Sequence, residues 1–525
     1  MTKHSKTLWT TALALGLLLD LLFWKQSPGI NFTLYSLTCV AAGFFLLRVN
    51  RQRAAGKTYW LLPLIAAFAA IVCIRAEPLT VLMTAAFTLF LMVVLSNTFL
   101  GGRWLNYGIA DYVAAFFSVA VSAVSRPMSF SAEVRKERVG SGEAHSRPKI
   151  WPYLRGLVFA IPIVAVFASL LASADPVFSG ELSELLGFFS IENLPQYLFR
   201  LAYILIAGYL LLGVILHASA KSQDEKLIGE EKPLLAPFLG FTEAMIVLGS
   251  VAILFAAFVV VQFQYFFGGQ ANITTAGYTY AEYARRGFGE LVTVAFFSLL
   301  LIAGLGNITQ KEGRAERWWF SAVSILIVLL VGIMLVSAYQ RLVLYEEAYG
   351  FSRLRTYTHA ALIWVGLLLS AVVALQILQR DRYLAAAALT AALGFAITLA
   401  FVNVDGLIVR ENVQRANERK ELDVPYLVSL STDSVPALAE AYESPSTGRE
   451  TRDATGAALF CRSKMAPRTG DGDWRSFTFS KWQADMALQR VQNELAGYRV
   501  IDETWPVRIS SPLGTTYECY GKVLD

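Results

Sequence analysis

The sequence predicts an all-α membrane protein with many spans and a small, mainly helical domain at its C-terminus. Of its 525 residues, 55% are hydrophobic and only 16% are charged, whereas an ordinary soluble protein has about 25% charged residues. Apolar runs of about 20 residues, the length of a membrane helix, recur from Leu8 to Val402. The formal net charge of +5 does not indicate nucleic-acid binding, because the basic residues are dispersed in short loops.

A sharp change in composition near Val404 predicts the domain boundary. Charged residues make up 52 of the first 403 positions, with a net charge of +8, and 33 of the remaining 122, with a net charge of −3. We therefore expect residues 1–403 to form the transmembrane domain and residues 404–525 to form a soluble extracytoplasmic domain.

Eleven membrane helices are predicted from the apolar runs. The first ends in Phe-Trp-Lys-Gln rather than in a small-residue cleavage site, so we interpret it as a signal anchor. The predicted spans are 8–24, 30–47, 58–74, 79–100, 156–174, 198–217, 244–267, 289–306, 318–338, 358–378 and 384–402.

The segment 107–124 decides the orientation of the chain. It is apolar but contains Asp111, and six basic residues follow it. If it lies flat on the membrane, the cytoplasmic segments hold 22 Lys and Arg residues and the outer loops hold 7. If it spans the membrane, the cytoplasmic segments hold 12 of these residues and the outer loops hold 17. The positive-inside rule therefore favours an interfacial helix at 107–124 and a cytoplasmic loop at 125–155. The N-terminus is then cytoplasmic and the C-terminus extracytoplasmic.

In the C-terminal domain we expect a helix over 407–419 with Asn412 and Arg415 exposed, then two short helices starting near 423 and 434. The composition of 444–472 predicts a linker that encloses an apolar patch at 457–461. Residues 474–495 are predicted to be a strand or turn followed by an amphipathic helix, and the last segments to be short strands. Trp474, Trp482 and Trp505 are expected to build a small core rather than a carbohydrate platform. Cys461 and Cys519 are expected to form a disulfide in an oxidising compartment; the alternative is two unpaired thiols.

Two predicted outer loops, 268–290 and 339–357, contain five Arg, no Lys and several Tyr. Arginine suits bidentate contact with phosphate or carboxylate and stacking on aromatic rings. The alternative is internal salt bridging that holds helix ends together. The residues of the hypothetical ligand site are Tyr283, Arg285, Arg286, Glu290, Arg341, Tyr345 and Arg355.

Motifs of common enzymes are missing from the sequence. It has no phosphate-binding loop, no GxGxxG after a strand, no HExxH and no GxSxG. The four His are scattered and no cysteine spacing indicates a metal, so we expect neither a metal nor a cofactor. Asp175 and Asp405 are the carboxylates that a hidden membrane transferase could use.

Four ordered tracts resemble a known family. They are 280–291 (YAEYARRGFGEL), 341–355 (RLVLYEEAYGFSRLR), 405–416 (DGLIVRENVQRA) and 422–427 (LDVPYL). Together they resemble the bacterial integral membrane family called Domain of Unknown Function 4173, which is related to family 4153. The resemblance implies a multi-span envelope protein without an established activity, so it assigns no role to any residue.

Three functions remain open at this point. The first is transport or handling of an anionic lipid or solute at the outer face. The second is a non-catalytic sensor or scaffold whose domain 404–525 binds envelope proteins. The third is a membrane-embedded transferase, and the lack of enzyme motifs makes it the least favoured. Membrane lipid is an expected partner in each case, and nucleic acid is not.

Overall fold

The structure is a computed structural model that describes residues 4–140, 194–219, 236–267, 288–418, 421–465 and 472–520, with scattered residues between 160 and 180 and residue 227. Eleven helices in these ranges are long and apolar enough to cross a membrane. They are α1 (Ser5–Phe23), α2 (Ile30–Val49), α3 (Leu61–Ile74, which reaches this length together with the 3-10 helix Gly56–Trp60 directly before it), α4 (Pro78–Asn97), α5 (Ile109–Gly140), α6 (Leu194–Ala218), α7 (Phe241–Phe267), α8 (Phe288–Ile308), α9 (Arg314–Tyr349), α10 (Arg353–Leu378) and α11 (Leu384–Val402). The predicted all-α membrane fold is confirmed.

Ten of these helices coincide with predicted spans, and the eleventh is α5. The predicted interfacial helix 107–124 continues without a break to Gly140, through the first part of the segment expected to be a loop. Pro127 lies inside this helix, and serine hydroxyls on both sides of it bond to carbonyls one turn back, as Ser125 does to Val121 and Ser131 to Pro127. The predicted span 156–174 lies mostly outside the described residues.

The described chain divides into two compact units. The smaller unit contains α1, the end of α2, the second half of α5, and α6. A Cβ added at Gly16 would lie 2.4 Å from the carbonyl oxygen of Ile204, and one at Gly208 would lie 3.0 Å from that of Ala12. The two glycines therefore let the backbones of α1 and α6 approach closely, as small residues do in membrane helix pairs.

The larger unit contains the remaining membrane-length helices and the whole C-terminal domain. Its bundle is built around α9, which is 36 residues long. Apolar side chains of α9, such as Phe320, Ile327 and Val331, pack with Leu248 of α7 and Leu369 of α10 in one buried cluster. This cluster positions the turn between α9 and α10, residues 350–352.

The described residues of the C-terminal domain form five α-helices and a three-stranded sheet. The helices are α12 (Val404–Asn417), α13 (Val424–Ser429), α14 (Val435–Glu443), α15 (Arg449–Met465) and α16 (Phe479–Val491). The strands are β1 (Arg499–Asp502), β2 (Val507–Ser510) and β3 (Thr516–Cys519). They are antiparallel in the order β1-β2-β3, with Val507 opposite Cys519.

The predicted linker 444–472 is wrong over most of its length, because α15 occupies it. Ala457, Ala458 and Leu459 are fully buried in the core of the domain. Cys461, on the same helix, forms the predicted disulfide with Cys519 of β3. Burial of this apolar stripe stabilises a helix whose polar composition suggested a loop.

The prediction that three tryptophans build the core of the domain is also wrong. Trp474, Trp482 and Trp505 are 60%, 47% and 71% exposed. The core is made instead of aliphatic side chains and alanine, including Ile408, Leu427 and Leu438.

Candidate functional site

The C-terminal domain meets the helix ends at a set of buried ion pairs. Arg353, the first residue of α10, donates two hydrogen bonds to Asp405 of α12, with N–O distances of 2.8 and 2.6 Å. Asp405 is fully buried and also accepts a hydrogen bond of 2.6 Å from the backbone N–H of Ser431. The Asp405 carboxylate therefore has its partners within the fold, which indicates a structural role rather than the transferase role considered above.

A second buried carboxylate, that of Asp433, joins the turn between α3 and α4 to the same domain. Asp433 accepts hydrogen bonds from the backbone N–H groups of Ala76 and Glu77, at 2.7 and 2.8 Å. Its other oxygen lies 3.7 Å from Arg75. Glu77 caps α4 by accepting from the N–H of Thr80 at 2.7 Å, and the Tyr357 hydroxyl donates to it. We call the region of these two clusters the junction.

Beside the junction is a cavity of about 190 Å³. The turn between α9 and α10 lines one side of it, and α12 and the start of α13 line the other. Its polar lining residues are Tyr349, Ser352, Arg355, Asn412, Arg415, Glu421, Asp423 and Tyr426. Asp423 accepts a hydrogen bond from the N–H of Tyr426 and so caps α13, whereas Glu421 is exposed. Two guanidinium groups and these two carboxylates thus share one small cavity.

Arg355 is held in this cavity by aromatic rings and by the turn. Its Cζ lies 4.1 Å from the ring centroid of Tyr345 and 5.9 Å from that of Tyr349, within the range of cation–π attraction. Its Nη1 donates to the carbonyl of Gly350. The sequence predicted Tyr345 and Arg355 as site residues, and the structure brings them together.

Arg415 approaches the cavity from α12. Its Nη2 donates to the carbonyl of Glu347 at 2.9 Å, and among the described residues no hydrogen-bond partner meets its buried Nε. The pKa of the Arg415 guanidinium is lowered from its usual value, first by burial and then by the positive charge of Arg355. The two arginines therefore repel each other across the cavity, and a bound anion would relieve this repulsion.

Asn412 and Arg415 do not match the expectation that both are exposed. Asn412 accepts from the N–H of Phe351 at 2.8 Å and donates to its carbonyl at 2.9 Å. Both side chains are half-buried against the turn between α9 and α10. The sequence signal for them is the tract 405–416, which carried the family resemblance, but helical spacing alone did not show that this face of α12 contacts the bundle.

The other predicted site residues are not shown to share this cavity. Arg341 is half-buried one turn before Tyr345, and Glu290 is exposed in the first turn of α8. Tyr283, Arg285 and Arg286 lie outside the described residues. The predicted seven-residue site therefore contributes Arg355 as a lining residue of the cavity and Tyr345 as its stacking partner.

A separate cluster lies in the smaller unit. Asp20 is buried at the end of α1 and pairs with Arg200 of α6, with N–O distances of 2.9 and 2.5 Å. Tyr203 also donates to Asp20, and Arg200 lies over the ring of Trp24 at 5.0 Å. Asp20 is thus a hydrogen-bonded carboxylate at a helix end. Asp175 is exposed, and the described residues contain no group of three or more His, Cys, Asp or Glu that could hold a metal.

A bundle of membrane-length helices, with a disulfide-bonded domain packed on the helix ends of its larger unit, defines a multi-pass integral membrane protein. Residues 62–441 match the family described as a domain of unknown function, DUF4153. Because this match covers well over half of the chain, the protein belongs to that family. The four sequence tracts resembled family 4173, to which family 4153 is related. No curated protein and no solved structure is significantly similar to the chain.

Proposed function

We propose that this protein binds an anionic lipid headgroup or an anionic solute in the cavity between Arg355 and Arg415. The observation that carries the proposal is the convergence of the guanidinium groups of Arg355 and Arg415 on a cavity of about 190 Å³. Phosphate and carboxylate oxygens are the acceptors that arginine pairs with best.

The proposal places the cavity on the extracytoplasmic side of a bacterial inner membrane, with the N-terminus in the cytoplasm. The count of basic residues in the loops supports this orientation, as does a disulfide in the C-terminal domain. We also propose that this protein is related to the bacterial family 4173, which its four sequence tracts resemble. Binding of envelope proteins by residues 404–525 is the alternative.

Thermal unfolding of the purified protein in detergent tests the site. We expect phosphatidylglycerol or inorganic phosphate to raise the melting temperature of the wild type, because a ligand that binds only the folded state stabilises it. Stabilisation by the lipid alone would identify a headgroup as the ligand, and stabilisation by phosphate as well would identify a solute anion.

The variant Arg415→Gln should lose this stabilisation. One charge-assisted hydrogen bond contributes about 1.5–3 kcal/mol, so we expect a 10- to 100-fold weaker affinity, as roughly 1.4 kcal/mol is a factor of ten. Arg410→Gln is the matched control, because Arg410 lies on the same helix and is exposed. Equal stabilisation of both variants would contradict the proposal.

A further inference from the structure

An exposed aromatic cluster lies on the C-terminal domain close to the helix ends. Trp474 and Phe477 precede α16, and Phe479, Trp482 and Met486 recur on one side of that helix. All five side chains are at least 40% exposed, and the rings of Phe479 and Trp482 stack at 5.3 Å. A soluble domain seldom presents a contiguous apolar surface of this kind unless something covers it.

The backbone of this cluster is bonded to the ends of two membrane-length helices. The N–H of Ile30, the first residue of α2, donates to the carbonyl of Phe477 at 2.9 Å. A Cβ on Gly29 would lie 2.5 Å from the same oxygen, so only glycine permits this approach. At the end of α3, the Cys73 thiol hydrogen-bonds the backbone of Phe479.

These contacts fix the depth of the cluster relative to the membrane helices. Helices α2 and α3 meet the domain where each of them leaves its apolar run, and Leu34 and Leu37 of α2 are exposed just beyond this point. The aromatic cluster therefore continues the lipid-facing surface of the bundle at the level of the lipid headgroups. Tryptophan is enriched at this level because its ring is apolar and its N–H is polar.

We infer that Trp474, Phe477, Phe479 and Trp482 insert into the interfacial region of the bilayer and anchor the C-terminal domain to the membrane surface. The lipid bilayer, rather than a protein or a carbohydrate, is the occupant that continuity with α2 and α3 favours. The exposed Lys481 lies between these rings in sequence, and its Nζ donates to the carbonyl of Ser476 at 3.4 Å.

Tryptophan fluorescence in reconstituted vesicles tests this inference. The full-length protein is placed in phosphatidylcholine vesicles whose acyl chains are either unmodified or brominated close to the headgroup, since bromine quenches tryptophan on contact. The emission spectrum of the double variant Trp474→Phe/Trp482→Phe is subtracted from that of the wild type. The difference is the emission of the two removed rings. Phenylalanine preserves an aromatic side chain at each position, and circular dichroism checks the fold of the variant.

The emission of Trp474 and Trp482 should be mostly lost in the brominated vesicles. Trp505→Phe provides the matched control: Trp505 is also highly exposed, but its aromatic neighbour is Tyr520, just after β3. The emission of Trp505 should persist. If the difference signal of Trp474 and Trp482 persists equally well, the cluster faces water or a protein partner, and the inference is overturned.

Discussion

At the scale of single residues, Gly350 is the position on which the cavity depends most. Its φ is +80°, and a Cβ there would lie 2.4 Å from Nη1 of Arg415 and 2.5 Å from Oδ1 of Asn412. A residue with a side chain would therefore strain the backbone at this position. Its Cβ would also displace two groups that hold the turn.

We predict that Gly350→Ala destabilises the protein by about 1–3 kcal/mol from the backbone alone, because essentially only glycine adopts a φ of +80° with a ψ of 178°. The variant should also abolish stabilisation by added anion. Thermal unfolding with and without ligand measures both effects. Gly332→Ala is the control, because a Cβ there meets nothing within 4 Å and alanine favours a helix. An unchanged Gly350→Ala protein would show that this turn does not shape the site.

Tyr517 makes the C-terminal domain sensitive to high pH. Its hydroxyl donates to Asp453 at 3.1 Å, and burial followed by the Asp453 charge raises the pKa of Tyr517 to about 12. Burial and Asp453 raise the pKa of Tyr498 as well. The folded state thus keeps both protons when the unfolded chain, with a tyrosine pKa of about 10, begins to lose them.

We therefore predict that the contribution of these two tyrosines to the stability of the domain is constant below about pH 10 and decreases as the pH rises from 10 to 12. Urea unfolding followed by circular dichroism at several pH values measures this fall. Tyr517→Phe should reduce the slope and leave the part that belongs to Tyr498. An identical slope in the variant would remove Tyr517 from the explanation.

At this scale, the sequence could not predict contacts between residues that lie far apart along the chain. Arg355 and Tyr345 are ten residues apart, and a composition rich in Arg and Tyr was enough to group them. Arg415 contacts Glu347 across 68 positions, and no local pattern encodes such a contact. The core prediction for the three tryptophans was wrong because large aromatic residues are common in cores, whereas exposure depends on tertiary packing, as for Trp482 on the outer surface of α16.

At the scale of elements, α15 shows why composition misleads. Its sequence contains three Arg and two Thr, yet its apolar residues 457–461 pack in the domain core and the disulfide joins it to β3. Tertiary packing decides the conformation of such a segment, because intrinsic helix propensity is only a weak preference.

The disulfide should contribute much of the stability of this small domain. A bridge between residues 58 positions apart restricts the unfolded chain and typically adds about 2–5 kcal/mol. We predict that Cys461→Ala/Cys519→Ala lowers the free energy of unfolding of the domain by that amount in urea. A reductant should destabilise the wild type to the same extent and leave the double variant unaffected; wild type that is insensitive to complete reduction would contradict the prediction.

The pair Arg353–Asp405 couples α10 to α12. We predict that Asp405→Asn costs about 3–5 kcal/mol, because removing one partner of a buried pair leaves a charge without compensation. Arg353→Met/Asp405→Leu should be closer to wild type, since replacing both partners with apolar groups avoids this cost. Thermal unfolding of the three proteins decides the matter, and an Asp405→Asn protein of normal stability would reopen a catalytic role for Asp405.

At the scale of the whole molecule, the length of apolar runs predicted the membrane helices well, since a helix that crosses hydrocarbon needs about 20 apolar residues. The same criterion does not separate a spanning helix from one that lies in the interface, and α5 satisfies it over 29 residues. The orientation consequently stays a prediction.

The junction could not be foreseen, because buried Glu77, Asp405 and Asp433 meet only after the chain has folded.

The C-terminal domain is part of the larger unit rather than a separate appendage. Its core cluster includes Leu399 of α11 and Ala360 of α10, and its carboxylates neutralise Arg75 and Arg353. This continuity places Arg415 of the domain beside Arg355 of the bundle. The proposed site therefore exists only when both parts are folded together.

Native mass spectrometry of the purified protein tests the central claim most directly. Wild type, Arg415→Gln and Arg410→Gln are compared for bound small molecules and lipids, first as purified and then after incubation with phosphatidylglycerol or inorganic phosphate. We predict that wild type and Arg410→Gln retain an anionic species that Arg415→Gln does not. Equal occupancy in all three proteins, or none even after incubation, would contradict an anion site between Arg355 and Arg415.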